Sequence, residues 1–202
     1  MSFTTRMSLL VRVKAGDENA WFEFYNMYEK LIRRFGVRRH LTKDEIDDLV
    51  QNVMFELYRK DLIGKYDPDH IPDSAKKDDL SPGRFRFFLR GIVHRQALKI
   101  KYKRKDNVSL DTPEHQVFEP AIDDWGKIWD EEWKHLAVNL ALEMLKSRVE
   151  PKTYQAFHMN AIQGRPVQEV ATFLGMSKES VYQHKHRCLE ILKKSIHSIE
   201  EL

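Results

Sequence analysis

Residues 167–192 run Val-Gln-Glu-Val-Ala-Thr-Phe-Leu-Gly-Met-Ser-Lys-Glu-Ser-Val-Tyr-Gln-His-Lys-His-Arg-Cys-Leu-Glu-Ile-Leu. This spells a short apolar helix, a turn at Gly175, an N-cap at Ser177 and a second helix with a polar outer face. Ala171 is small where two helices must cross closely, and glycine accepts the positive φ of a sharp interhelical turn. Val170, Leu174, Val181, Cys188 and Leu192 are expected to form the seam between the helices. The pattern is that of a helix-turn-helix, whose second helix enters the major groove of DNA.

Taking about 100° per residue from Val181, positions Glu179, Tyr182, Gln183 and His186 point outward on the second helix. Lys178 and Ser180 lie in its first turn, where side chains approach base edges. Glutamine suits adenine, glutamate accepts from cytosine, and Arg187 suits phosphate. The expected duplex contacts are therefore Lys178, Glu179, Ser180, Tyr182, Gln183, His186 and Arg187. Lys185 falls toward the core side.

Outward from this motif the chain has 202 residues, room for one domain or two small ones. Its net charge of +3 conceals a strong local asymmetry. Residues 82–105 carry nine lysines and arginines and no acid, whereas the following stretch is acidic. A local basic block points to nucleic acid more directly than the total does. Cys188 is the one cysteine, so no disulfide forms within the chain, which suits a reducing compartment. The first ten residues have no signal-peptide pattern and no stretch is apolar enough to span a membrane. The expectation is a soluble cytoplasmic protein without membrane insertion.

Helical period dominates. Trp21, Phe24, Tyr25, Tyr28, Leu31, Ile32 and Phe35 make one apolar stripe, with Asp17 as N-cap and Gly36 as the expected stop. Thr42-Lys43-Asp44-Glu45 is a capping box opening a helix whose stripe is Ile46, Leu49, Val50, Val53 and Leu57. Prolines at 68, 72 and 82 break the stretch 64–83. A basic helix follows from Arg84 to about Lys103, with Phe85, Phe88, Leu89, Ile92 and Val93 as its apolar side. Residues 107–123 have the composition of an acidic linker. Helix resumes at Asp124. Trp125, Trp129 and Trp133 are expected to pack in the second lobe's core or on the linker. Pro151 starts another helix, which Gly164 ends. The fold expected is all-α: two small helical domains, 1–106 and 124–202, joined by the acidic linker 107–123.

Two further faces carry function. On the helix over 43–60, Asp44, Asp48, Gln51, Asn52 and Phe55 oppose the core stripe. An aromatic anchor ringed by carboxylates and amides suits a basic protein partner. On the basic helix, Arg84, Arg86, Arg90, Arg95 and Lys99 can neutralise phosphates, and Phe85, Phe87 and Phe88 can stack on unpaired bases. No phosphate-binding loop, dinucleotide fingerprint, zinc-protease motif or nucleophile elbow occurs, so no catalytic residue and no cofactor is expected. His184 and Cys188, four residues apart, lack a second ligand pair nearby, so no metal site is expected.

Together these residues resemble the extracytoplasmic-function sigma factors of bacterial RNA polymerase, over about Ser8 to Ile196. Residues 21–28 are similar to the opening helix of the family's sigma-two domain. Asp47-Asp48-Leu49-Val50-Gln51-Asn52-Val53 resembles the motif that binds the polymerase clamp helices. Gly83-Arg84-Phe85-Arg86-Phe87-Phe88-Leu89-Arg90 resembles the segment that melts and reads the minus-ten element. The second lobe resembles the sigma-four domain, which reads the minus-thirty-five element. The resemblance implies core RNA polymerase and promoter DNA as partners, an anti-sigma factor as a repressive one, and Asp47, Asp48, Gln51, Asn52 and Phe55 as the polymerase contact. The chain departs from the family in carrying Phe87-Phe88 for its usual Gly-Trp, Arg95 and Lys99 for its frequent Asn and Asp, and His184 and His186 for arginines. The family's promoter sequences therefore do not transfer. The alternatives are an ordinary helix-turn-helix regulator that binds DNA without being a polymerase subunit, its first lobe sensing a signal or dimerising, and a nucleic-acid enzyme with the acids as metal ligands.

Overall fold

The computed structural model describes residues 6–59, 61–66, 85–108 and 122–200. The described residues are helical, with turns between, and contain no strand. No helix among them is long and apolar enough to cross a membrane. The chain divides into two units at Lys134/His135. The linker expected over 107–123 lies largely outside the described residues, as do Arg84 and most of the proline-rich stretch. Residues 124–134, expected in the second lobe, belong to the first unit.

The first unit begins with a helix the sequence pattern did not announce, α1 (Arg6–Lys14). α2 (Glu18–Arg38) starts where expected: Asp17 Oδ1 accepts from the Ala20 N–H at 3.1 Å. Phe24, Tyr28, Leu31, Ile32 and Phe35 are buried along it, whereas Trp21 and Tyr25, expected in the same stripe, are only half-buried. Gly36 does not stop the helix. It lies inside it, because a Cβ there would meet Ile46 Cγ1 at 2.9 Å, so the missing side chain lets α2 and α3 approach. α2 ends instead through His40, which takes φ 58° while Leu41 N–H reaches back to the Gly36 carbonyl at 3.1 Å.

α3 (Lys43–Arg59) opens with the expected reciprocal box: Thr42 N–H donates to Glu45 Oε2 at 2.7 Å and Glu45 N–H to Thr42 Oγ1 at 3.3 Å. Its buried side is the predicted stripe plus Met54 and Glu56. α4 (Phe85–Val108) buries Phe85, Leu89, Ile92, Val93 and Ala97. A buried carboxylate joins the two helices: Glu56 accepts from Gln96 Nε2 and lies 3.4 Å from the Arg95 guanidinium. Such a group is tolerated in a core only with donors around it.

α5 (Ile122–Arg148) supplies the remaining wall of the first unit. Trp125, Trp129 and Trp133 are buried there against Phe35, His94 and Tyr28, with ring centroids 5.3–6.0 Å apart across these contacts. This corrects their expected placement in the second lobe or on the linker. A tryptophan stripe announces a core without saying whose. His94 lies in this aromatic setting, where burial, then Arg90 and Arg39, push its imidazole down to about 4. Its unfolded value is near 6.5. The stability that depends on neutral His94 is complete above that value and is lost as pH falls toward 4, by about 3 kcal/mol in total. Urea unfolding across this range is expected to show the loss, and His94→Phe to flatten it.

The second unit holds the rest of α5, α6 (Pro151–Phe157), a π-helical turn over His158–Ile162, α7 (Val167–Leu174) and α8 (Lys178–Glu200). Pro151 occupies the first turn of α6. Gly164 follows the π turn with φ 70°. Ala156, Met159, Val170, Ala171 and Val181 form one cluster, and Ala137, Ala141, Leu145, Phe157, Cys188, Leu192 and Ile199 another. The expected seam is thus split. Val170 and Val181 meet across α7 and α8, while Cys188 and Leu192 pack on α5 and α6. Cys188 is a core residue, and burial pushes its thiol up.

Candidate nucleic-acid interface

The α7–α8 junction is built by its turn residues. Gly175 adopts φ 58°, ψ 51°; its N–H donates to the Thr172 carbonyl, and Met176 N–H donates to the Ala171 carbonyl at 3.0 Å. This is a Schellman stop, and it needs the left-handed backbone that glycine accepts at least cost. Two residues on, Ser177 Oγ accepts from Ser180 N–H at 3.1 Å and caps α8. The result is a sharp corner from which the first turns of α8 emerge polar side out.

Lys178, Glu179, Tyr182, Gln183, His186 and Arg187 are all exposed on α8, Tyr182 by 58%. Val181 is fully buried on the opposite side. Two expected contacts are drawn into the cap. Ser180 is half-buried and its hydroxyl lies 3.0 Å from that of Ser177. The Glu179 carboxyl is held below its usual range by its own backbone N–H and the Ser177 hydroxyl. His184 Nδ1 lies 3.2 Å from Thr153 Oγ1, tying α8 to α6. Phe173, 70% exposed on α7, is a surface ring that the apolar pattern had hidden.

Along α4 the predicted residues separate. Phe85 is 1% exposed and packs on Phe24, Tyr28 and Tyr66 at 5.3–5.8 Å. It is a core residue, which corrects its assignment as a stacking group. Phe88 shares that cluster but remains half-buried. Phe87, half-buried like Phe88, is flanked by the guanidinium groups of Arg86 at 4.6 Å and Arg90 at 5.1 Å. A ring between two cations is a surface for a base beside its phosphates. Arg95 and Lys99 are exposed. Arg86 is largely covered and lies 3.7 Å from Asp130.

On α3, Asp48, Gln51, Asn52 and Phe55 are exposed, Phe55 by 54%. Asp47 is also exposed but engaged, bridged by Arg33, which also bonds Glu29. The face is wider than one helix. Tyr58 is 71% exposed and lies 5.1 Å from Trp21, and a cleft between α2 and α3 is lined by Trp21, Tyr25, Gln51, Met54, Phe55 and Tyr58. Arg59 sits over the Phe55 ring at 5.2 Å. Trp21 and Tyr25 escaped notice because they continue the core stripe of α2, and half-burial has no signature in periodicity.

No protein-family model matches the chain, and no curated protein does.

Proposed function

We propose that this chain is a promoter-specificity subunit of bacterial RNA polymerase, of the extracytoplasmic-function sigma type. The observation that carries the reading is the α2–α3 face. Clustered exposed rings beside Asp48, Gln51 and Asn52, in the unit that lacks the helix-turn-helix, form the kind of patch a protein partner covers. In this reading the α2–α3 face docks on the polymerase clamp. Phe87, Arg90, Arg95 and Lys99 on α4 hold the minus-ten strand once it is melted. Lys178, Tyr182, Gln183, His186 and Arg187 enter the minus-thirty-five major groove. Neither DNA contact need be tight by itself, since polymerase makes the second one effectively intramolecular. The place of work would be the cytoplasm, and no catalytic group is assigned.

Gln183 tests the base-reading part. Gln183→Ala is expected to cost about 1–3 kcal/mol at one base pair of the upstream element and little at the others. Transcription from a set of single-base promoter variants measures it. A uniform loss over all sequences would place Gln183 on phosphate and overturn its assigned role.

A further inference from the structure

A second cleft adjoins the one between α2 and α3 and shares Trp21, Tyr25 and Tyr58 with it. It has a volume of about 850 Å³ and is walled by the end of α1, the first turns of α2, the end of α3 and the turn that follows. Four rings line it: Trp21, Phe22, Tyr25 and Tyr58. Phe22 and Tyr58 are the most exposed of them, and Trp21 meets Tyr58 at 5.1 Å with the planes tilted by 52°. The buried Leu57 and Ile63 line it as well. Aromatic faces carry partial negative charge, so a cleft walled by several rings draws a cation.

Of the charged groups that line the cleft, Lys14 and Asp17 are already engaged. Lys14 Nζ donates to the Tyr66 carbonyl at 2.9 Å and lies 5.7 Å from the centre of that ring. Asp17 caps α2 and pairs with Arg12 at 2.8 Å. Glu18 and Asp61 are exposed, and neither takes part in an ion pair among the described residues. Asp61 adopts φ 47°, and its carboxylate accepts from the Gly64 N–H at 3.2 Å, which fixes it in the turn beside the cleft. Elsewhere the protein serves its rings with its own cations, Arg59 over Phe55 and Arg86 and Arg90 beside Phe87. Among the described residues no cation lies over Trp21, Phe22, Tyr25 or Tyr58. Ring faces and two carboxylates are thus gathered around a space that lacks the cation to match them.

We propose that this cleft seats an arginine or lysine side chain carried on a basic segment of a protein partner. The ring faces and the carboxylates of Glu18 and Asp61 hold the cationic head, and the apolar stem lies along Leu57 and Ile63. The space exceeds what one cationic head fills, so neighbouring residues of the segment occupy the rest. Through the shared rings the cleft is continuous with the exposed aromatic patch on α2 and α3, a surface that a protein covers better than a small cation does. The inference goes beyond promoter recognition and does not depend on it, because the partner is defined by its charge.

The test uses the full chain, without polymerase or DNA, and a blocked Arg-Ala-Arg-Ala-Arg peptide. Trp21 is half-buried whereas Trp125, Trp129 and Trp133 are buried, so its indole N–H signal in nitrogen-15 NMR reports on the cleft. That signal is expected to shift saturably with the peptide. It should stay in place with the same peptide carrying citrulline, which keeps the shape and loses the charge. Both readings are made on the wild type and need no variant to fold. Glu18→Gln with Asp61→Asn should weaken binding about tenfold. Glu143→Gln with Glu150→Gln, equal charge removed from exposed positions outside the cleft, should change it less than about twofold. An unmoved signal, an equal response to the citrulline peptide or equal effects of the two double variants would each overturn the proposal. Free arginine amide binding as tightly as the peptide would also overturn it, since the occupant would then be a small cation. Polymerase-dependent transcription is scored separately, so loss of the sigma assignment would be told apart from loss of this one.

Discussion

Trp129→Ala is expected to destabilise the first unit by about 3–5 kcal/mol, the cost of emptying a large, fully buried aromatic site. Trp129 is in contact with Phe35, His94 and Trp133, so the cavity opens where α2, α4 and α5 meet. Denaturant unfolding followed by far-ultraviolet circular dichroism measures it. Phe22→Ala is the comparison, because Phe22 is exposed by 67% and should change stability by no more than about 0.5 kcal/mol. A loss at Trp129 no larger than at Phe22 would mean that α5 does not belong to this core.

The second large effect concerns polymerase. Asp48→Ala combined with Phe55→Ala should weaken capture of the core enzyme by about 2–4 kcal/mol, enough to abolish it at working concentrations. The fold should survive, since both side chains are exposed on α3 and the buried stripe beneath them is unchanged. Immobilised core polymerase with wild-type and variant chains measures the difference. Undiminished capture would count against the docking face. Tyr58→Ala extends the test to the part of the face that periodicity did not disclose.

The helix-turn-helix was legible because its determinants are local. A glycine that must take positive φ, a serine two residues on and an alternation of apolar positions all lie within one short window. The capping box at Thr42 and the cap at Asp17 were legible for the same reason. What escaped was set by distant residues. Gly36 resembles a stop until Ile46 is seen against it. Phe85 reads both as part of the apolar side of its helix and as a stacking group, and the rings of Phe24, Tyr28 and Tyr66 decide for the core. Glu56 gives no sign of burial, because the donor that satisfies it comes forty residues later, from Gln96. The tryptophans of α5 were assigned to the lobe that follows them or to the linker, though their partners lie in α2 and α4.

Of the site residues, those on α8 and the outer face of α3 needed only helical geometry to place. Those on α4 needed tertiary contacts. Its inner face was legible from Phe85, Leu89, Ile92 and Val93, but how far Phe87, Phe88 and Arg86 are covered emerges only once α2 and α5 are packed against it.

The most direct test of the central claim is transcription in vitro with core RNA polymerase and the purified chain on fragmented genomic DNA, with start sites mapped. The account predicts discrete start sites that appear only when both proteins are present and share upstream and downstream elements. It also predicts only weak duplex binding by the chain alone. Tight, sequence-specific duplex binding in the absence of polymerase, with no new start sites in its presence, would contradict it.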